Sequence, residues 1–380
     1  MTPETPGAPT GEPGIAAGHI MALRLFDIAY AIDLAKAETL WARHAAGRAT
    51  RARLAVTPPK AMAFGVPPLA IGLDPVVLEI EGVATAATVT ARLYDFGAVT
   101  LLLRVQAAGL GWRDFARRMN AMEDALESED GELLWRGCLD HVRGIIAEAL
   151  ERPAGSGLTE DYLIGVVHAF DRPMTAAQVL AQADLVPLLS GEHRTLSEAS
   201  RNDLLRRQFS YYEDDLVVLT WDRAFIFEPR GDSDVADVLE VANVQLLEMR
   251  YYDELLDDEL PRMNDMVETA RGGMNMFASR RYAALARKLY TLVADVTELA
   301  EKVDNALQVT EDVYLARVYG SALDLFRVGL VNAAVSRKLD IVRDTYTALY
   351  DEASSARTEL MELAILVLIF VELVVALTRH

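Results

Sequence analysis

Carboxylates offer the first candidates for chemistry in this chain. Glu213-Asp214-Asp215 come directly before a predicted hairpin, and Asp222 occupies its turn. Asp214, Asp215 and Asp222 are of the type that holds a divalent cation or shares a proton in acid–base catalysis. A second acidic group, Glu254, Asp257, Asp258 and Glu259, lies on a helix just before Pro261. Adjacent acids also form solvated turns and helix faces, and the spacing favours that for both groups. A metal-dependent enzyme using Asp214, Asp215 and Asp222 is therefore the alternative expectation. Arg201, Arg206 and Arg207 precede Phe209, Tyr211 and Tyr212. Such interleaving of cations and aromatic rings can grip RNA phosphates and stack bases, as a ribosome-associated factor would. The neighbouring Glu213–Asp215 run offers these arginines an intramolecular charge network instead.

The remaining motifs of known chemistry are missing. The sequence contains no GxxxxGK[ST], no strand-GxGxxG-helix, no HExxH, no CxxC and no GxSxG. His19, His44, His141, His168, His193 and His380 are scattered without metal-ligand spacing. Gly272-Gly273 reads as a helix break. These features predict a protein that is not an enzyme and that carries no cofactor and no metal.

The formal net charge of −20 over 380 residues argues against direct, sequence-independent binding to nucleic acid, because phosphate contacts need concentrated Lys and Arg. Length allows two domains, each with its own core. A single cysteine, Cys138, cannot form an internal disulfide and suits a reducing compartment. Residues 1–20 are rich in Pro, Gly, Thr and Ala, carry no secretory signal, and read as a disordered lead-in.

From Leu23 the pattern turns strand-like, with Phe26, Ile28, Tyr30 and Ile32 apolar at period two. A helix is expected at Ala35–Ala45. Strands follow at Arg51–Val56, Val76–Glu81, Ala87–Leu93 and Ala98–Val105. Helices are expected at Trp112–Glu127 and Gly131–Glu151, then a linker at Pro153–Gly157. A second unit follows: a Tyr162–Phe170 strand, a Thr175–Ala183 helix, and a Leu216–Thr220 and Ala224–Phe227 hairpin. Beyond Asp232 every long segment reads as helix. The fold class predicted is α+β, with a mixed α/β domain over 21–230; one arrangement compatible with its element order is a pair of ferredoxin-like halves.

Residues 231–358 carry a sharper repeat. Leu285, Leu289, Leu292, Val296 and Leu299 keep 4-3 spacing, and so do Leu339, Val342, Tyr346 and Leu349, whose series continues to Leu377. This spacing specifies knobs-into-holes packing against another helix. With Thr310–Gly320 between the series, the simplest arrangement is an antiparallel hairpin within one chain, and a homo-oligomeric coiled coil is the alternative.

Residues 359–380 then read as a transmembrane tail anchor. Leu360–Leu377 holds thirteen Leu, Ile, Val and Phe residues. As a helix it is about 27 Å long, just short of the hydrocarbon core of roughly 30 Å. Each aliphatic or Phe residue favours insertion by about 0.3–0.6 kcal/mol, while Glu362 and Glu372 oppose it by up to about 3 kcal/mol each. Glu372 falls outside the heptad seam, which suggests pairing with another membrane helix. The expected placement is the inner cell membrane, single-pass, with the bulk of the chain cytoplasmic. Protein partners, a homo-oligomer among them, are the expected contacts.

The order of three features resembles the required-for-meiotic-nuclear-division family of bacteria and mitochondria. They are the Tyr94–Val105 strand (YDFGAVTLLLRV), the Arg337-Lys338-Leu339-Asp340 helix leading through Tyr346–Glu352, and Glu372 inside the final apolar run. The resemblance covers roughly Leu93–Leu377. A Pro-Glu-aromatic-Trp element typical of the family is replaced here by Thr310–Tyr314, and residues before Leu93 match nothing in it. The resemblance implies a membrane-anchored, non-enzymatic scaffold that supports translation or organisation at the membrane.

Overall fold

Six consecutive residues of Ala98–Gln106, Ala98 to Leu103, are buried. A strand apolar on both sides must be covered on both sides, and a computed structural model shows the two layers that do so. It describes residues 11–44, 62–63, 67–153, 157–192, 194–231, 234–271, 308–309 and 312–378, with parts of 284–297. Side chains within 264–270 and beyond 348 are described in part.

The chain divides into two units, Met1–Glu248 with Val303–Val328, and Met249–Lys302 with Gly329–His380. In the first, the strands are β1 (Gly14–Asp27), β2 (Ala29–Ile32), β3 (Met62–Ala63), β4 (Leu69–Ile80), β5 (Val83–Leu93), β6 (Ala98–Gln106), β7 (Leu110–Gly111), β8 (Leu150–Pro153), β9 (Thr159–Phe170), β10 (Gln208–Phe209), β11 (Leu216–Leu219) and β12 (Arg223–Phe227). The main sheet has the order β10-β11-β12-β9-β1-β6-β5-β4, with β7 beside β1. Both strand-bearing halves of the sequence thus share one sheet, and β1 is the seam between them. It pairs antiparallel with β6 on one side and β9 on the other. Strand β9 pairs parallel with β12.

One face of the sheet meets α1 (Leu34–His44), α2 (Trp112–Glu127), α3 (Glu129–Ile146) and the short helices α4 (Ala176–Gln182) and α5 (Val186–Ser190). Its core includes Ile20, Val89, Leu101, Leu103, Phe115, Met119, Leu163 and Phe225. The opposite face carries Met21, Leu23, Leu25, Tyr94, Tyr162 and Ile226, also buried. The start of α7 (Val235–Arg271) and the Val313–Leu325 helix supply its cover. Tyr94 Oη donates to Glu240 of α7 at 2.8 Å, and the Tyr162 and Phe326 rings meet at 5.5 Å.

Several expectations change here. Gly14–Ile20 is strand, not lead-in: its backbone pairs with β7 and β9, and Ile15 and Ile20 are buried; residues 1–10 lie outside the described residues. Leu150 and Glu151, expected at the end of a helix, and Pro153, expected in a linker, instead belong to β8, which pairs with β2. Thr175 does open α4, through a reciprocal capping box with Gln178. The Arg51–Val56 strand lies outside the described residues. The α7 residues 235–248 and the described residues 312–328 fall in the same unit as the sheet. An apolar stripe on a helix fits a sheet face as well as another helix, so spacing alone did not separate them.

In the second unit the later part of α7 is tied to the Val328–Thr378 helix. Lys338 Nζ lies 2.6 Å from Asp253 Oδ1 and 2.7 Å from Asp257 Oδ1. The Tyr290 and Tyr346 rings approach to 5.9 Å. Val296 and Val342 are buried, and Leu339 and Tyr346 half-buried. Leu285, Leu289, Leu292, Leu299 and the Leu349 side chain lie outside the described residues.

Candidate functional site

The arginine–aromatic segment sits at the sheet edge. Helix α6 (Glu198–Leu204) is capped by Ser197, whose hydroxyl accepts from the Ser200 amide. The chain then runs into β10, which pairs Gln208 with Val218 and Phe209 with Val217. The Leu219 amide donates to the Arg207 carbonyl at 3.1 Å. Arg206 lies in the turn between α6 and β10, its amide donating to the Asp203 carbonyl at 3.1 Å.

The structure separates the three predicted arginines by role. Arg201 is in an ion pair with Asp184 at 3.0 Å. Arg207 donates to the Ser321 hydroxyl at 2.8 Å and its carbonyl at 3.1 Å. Arg206 is exposed. Arg206 and Arg207 line a cleft of about 650 Å³ with Phe209, Leu219, Trp221 and Leu325. Beyond it Tyr211 and Tyr212 are exposed; their rings meet edge to face, and Arg230 lies 4.5 Å from the Tyr212 ring centre.

The carboxylates do not converge. Asp215 accepts from the Tyr211 and Tyr212 amides at 2.7 and 3.0 Å, fixing the turn before β11. Asp222 lies past the other end of β11 and accepts from the Thr220 hydroxyl at 3.3 Å. A four-residue strand spans about 13 Å, too far for one metal ion to bridge Asp215 and Asp222. In the second acidic group, Asp257 pairs with Lys338 and Glu259 with Arg262. Among the described residues no three His, Cys, Asp or Glu side chains are grouped to hold a metal.

Two buried polar clusters escaped the sequence reading. Arg92 of β5 donates to Asp237 at 2.6 Å and to Glu240, and Glu240 also receives the Tyr94 hydroxyl. Burial pushes the Glu240 carboxyl up, and Arg92 pulls it back. For Arg92 itself, burial works against the charge, but Glu240 and Asp237 more than restore it. The Tyr94-Asp95-Phe96-Gly97 motif therefore has a structural explanation. Tyr94 seals the network, the Asp95 carbonyl accepts from the Ile32 amide, and Gly97 turns at φ +106° with its ideal Cβ position 1.7 Å from the Ala29 carbonyl oxygen. The second cluster surrounds Arg223, fully buried toward α2. It donates to Asn120 at 2.6 Å and to the Leu188 carbonyl at 2.9 Å, and pairs with Glu123. Burial lowers its pKa to about 10. A period-two strand pattern marks which face a residue uses but not that an arginine on that face has found partners, so neither cluster was legible.

At the far end of the Val328–Thr378 helix, Ile365, Leu366, Val367, Leu368, Ile369, Phe370 and Val371 are each 52–70 % exposed, and Glu362 and Glu372 are exposed as well. Among the described residues no single helix is long and apolar enough to cross a membrane. The Val313–Leu325 and Val328–Ala348 helices pass that test only as a bent pair. The first of these has a core-helix explanation, since Leu315, Val318 and Ala322 are buried. The side chains of 352–361, 363–364, 373–374 and 376–380 lie outside the described residues.

Comparison with known proteins meets this architecture in its sheet-bearing part. The chain is 24 % identical over 196 residues to uncharacterised protein MJ0711 of Methanocaldococcus jannaschii, covering 51 % of this chain and 59 % of that relative. It therefore spans about three fifths of the relative's length. No solved structure matches the chain. Residues 17–234, β1 through to the threshold of α7, match the family described as the N-terminal domain of uncharacterised protein MJ0711, and the chain belongs to that family.

Proposed function

We propose that this protein is a membrane-anchored, non-enzymatic interaction protein. Its α/β unit stands on the cytoplasmic side, joined by helices to a bilayer-inserted segment at Leu360–Leu377. One observation carries the proposal: the seven successive apolar residues Ile365–Val371 are all exposed. Seven residues sweep almost two helical turns, so they look outward on every side and no single neighbouring helix could cover them. Hydrocarbon covers such a surface at no polar cost, since the helix satisfies its own backbone. The remaining helical segments would then serve as a stalk, with the Tyr290–Tyr346 contact favouring pairing within the chain over pairing between chains. The resemblance to the required-for-meiotic-nuclear-division family supports a narrower role in organisation or translation at the membrane.

Glu372 sets the strength of the anchor. A carboxylate near mid-depth costs up to about 3 kcal/mol, a cost retained most simply because the residue contacts another membrane helix. Glu372→Leu should insert more readily while recovering fewer partners or less oligomer on cross-linking from membranes. Unchanged cross-linked yields at matched expression would remove the partner role from Glu372.

A further inference from the structure

The cleft at the sheet edge combines features that neither the membrane reading nor the sequence comparison uses. Trp221 is 52 % exposed, in a protein whose other tryptophans, Trp41, Trp112 and Trp135, are each at most 3 % exposed. Its ring meets the Phe326 ring edge to face at 6.2 Å between centres. Leu204, Leu219 and Leu325 add apolar lining. Arg206, in the turn that follows α6, and Arg207, just before β10, both line the cleft. Ser321 anchors Arg207, while Arg206 extends into solvent. Among the described residues that line the cleft, Asp203 is the one carboxylate against these two cations. The local sign is thus opposite to that of the whole chain.

An exposed indole beside one anchored and one exposed guanidinium suits a ligand with a flat aromatic part and an anionic part. Indole stacks on a base through its π face, and the planar guanidinium fork matches phosphate oxygens. A cleft of about 650 Å³ falls within the roughly 300–1,000 Å³ range of small-ligand sites. We infer that this cleft binds a nucleotide, its base on Trp221 and its phosphate at Arg206 and Arg207. The nucleotide is either free or one residue of a single strand. The inference is independent of the membrane proposal, since every lining residue belongs to the sheet-bearing unit.

Tryptophan emission of the full-length protein in detergent tests it. Because Trp221 supplies the exposed indole, AMP or UMP should quench the red side of the emission saturably, and adenosine alone should bind more weakly. Arg206→Glu should weaken AMP binding by about tenfold to a hundredfold, the value of one or two charge-assisted hydrogen bonds. Trp221→Phe should abolish the quenching and weaken binding measured by equilibrium dialysis. Comparing AMP with an eight-residue oligouridylate tells a free nucleotide from a strand, by which of them binds more tightly. Absence of saturable quenching by any of these ligands at millimolar concentration would overturn the inference. Unchanged affinity in Arg206→Glu, or equal affinity for adenosine and AMP, would do the same.

Discussion

Arg92→Leu strips the counter-charge from a fully buried carboxylate, Glu240. Glu240 is 1 % exposed and receives hydrogen bonds from Arg92 and from the Tyr94 hydroxyl at 2.8 Å. Without Arg92 its neighbouring donors are the neutral hydroxyls of Tyr94 and Thr100. Breaking a buried pair from one side costs about 3–5 kcal/mol. Glu240 can escape by taking a proton, which sets the pH dependence. Burial already raises its folded pKa, and losing Arg92 raises it further above the unfolded value of about 4.3. A raised carboxyl pKa makes folding less favourable as pH rises from the unfolded pKa through the folded one. The deficit in Arg92→Leu is therefore largest at pH 8 and shrinks toward pH 5. Urea denaturation followed by emission of the buried Trp41, Trp112 and Trp135 reads both values. The triple variant Arg92→Leu/Tyr94→Phe/Glu240→Leu removes the fully buried carboxylate together with these two donors, leaving only the half-buried Asp237 without its arginine, and should recover most of the loss. Wild-type stability of Arg92→Leu at pH 8, or an identical deficit at both pH values, would refute this account of the network.

Gly97→Ala places a Cβ 1.7 Å from the Ala29 carbonyl oxygen at φ +106°. It should lower stability by roughly 3 kcal/mol or more, and an unchanged melting temperature would contradict the tight turn. Asp27 is 5 % exposed, and burial raises its pKa to about 7 against the pull of Arg143. Its folded-state penalty therefore builds as pH rises from about 4 to 7, to an upper limit of about 4 kcal/mol. Asp27→Asn should melt higher than wild type at pH 8 and equally near pH 4; equal melting at both would show that Asp27 ionises freely.

The sheet's α2 face was legible because its residues recur at period two within strands and at helical spacing in α2, whose predicted limits Trp112–Glu127 are those observed. Strand β1 was hidden at its start by the Pro- and Gly-rich composition before it. What identifies Gly14–Ile20 as strand is its pairing with β9, a contact about 150 residues away in sequence. Helices α5 and α6 are five and seven residues long, too short for a periodicity to declare itself. The second sheet face posed a different problem. Val238, Leu239, Ala242 and Leu246 give α7 an apolar stripe, and a stripe does not name its partner. Of the candidate site, the association of arginines with aromatic rings could be read from the sequence. That Arg201 and Arg207 are tied within the fold while Arg206 stays free could not, since Asp184 and Ser321 are distant in sequence.

Partition of the full-length protein between membrane and soluble fractions tests the central claim most directly. It should be measured at high salt and at alkaline pH without detergent, beside a variant lacking Leu360–His380. Thirteen aliphatic or Phe residues contribute about 4–8 kcal/mol against up to about 6 kcal/mol for two glutamates, so insertion wins at the upper values, and wins by about 1–5 kcal/mol when Glu362 stays at the interface. The account predicts that the intact protein sediments with membranes under both conditions and that the truncated variant is soluble and folded. An intact protein found in the soluble fraction, with Ile365–Val371 covered by a second copy or another protein, would contradict it.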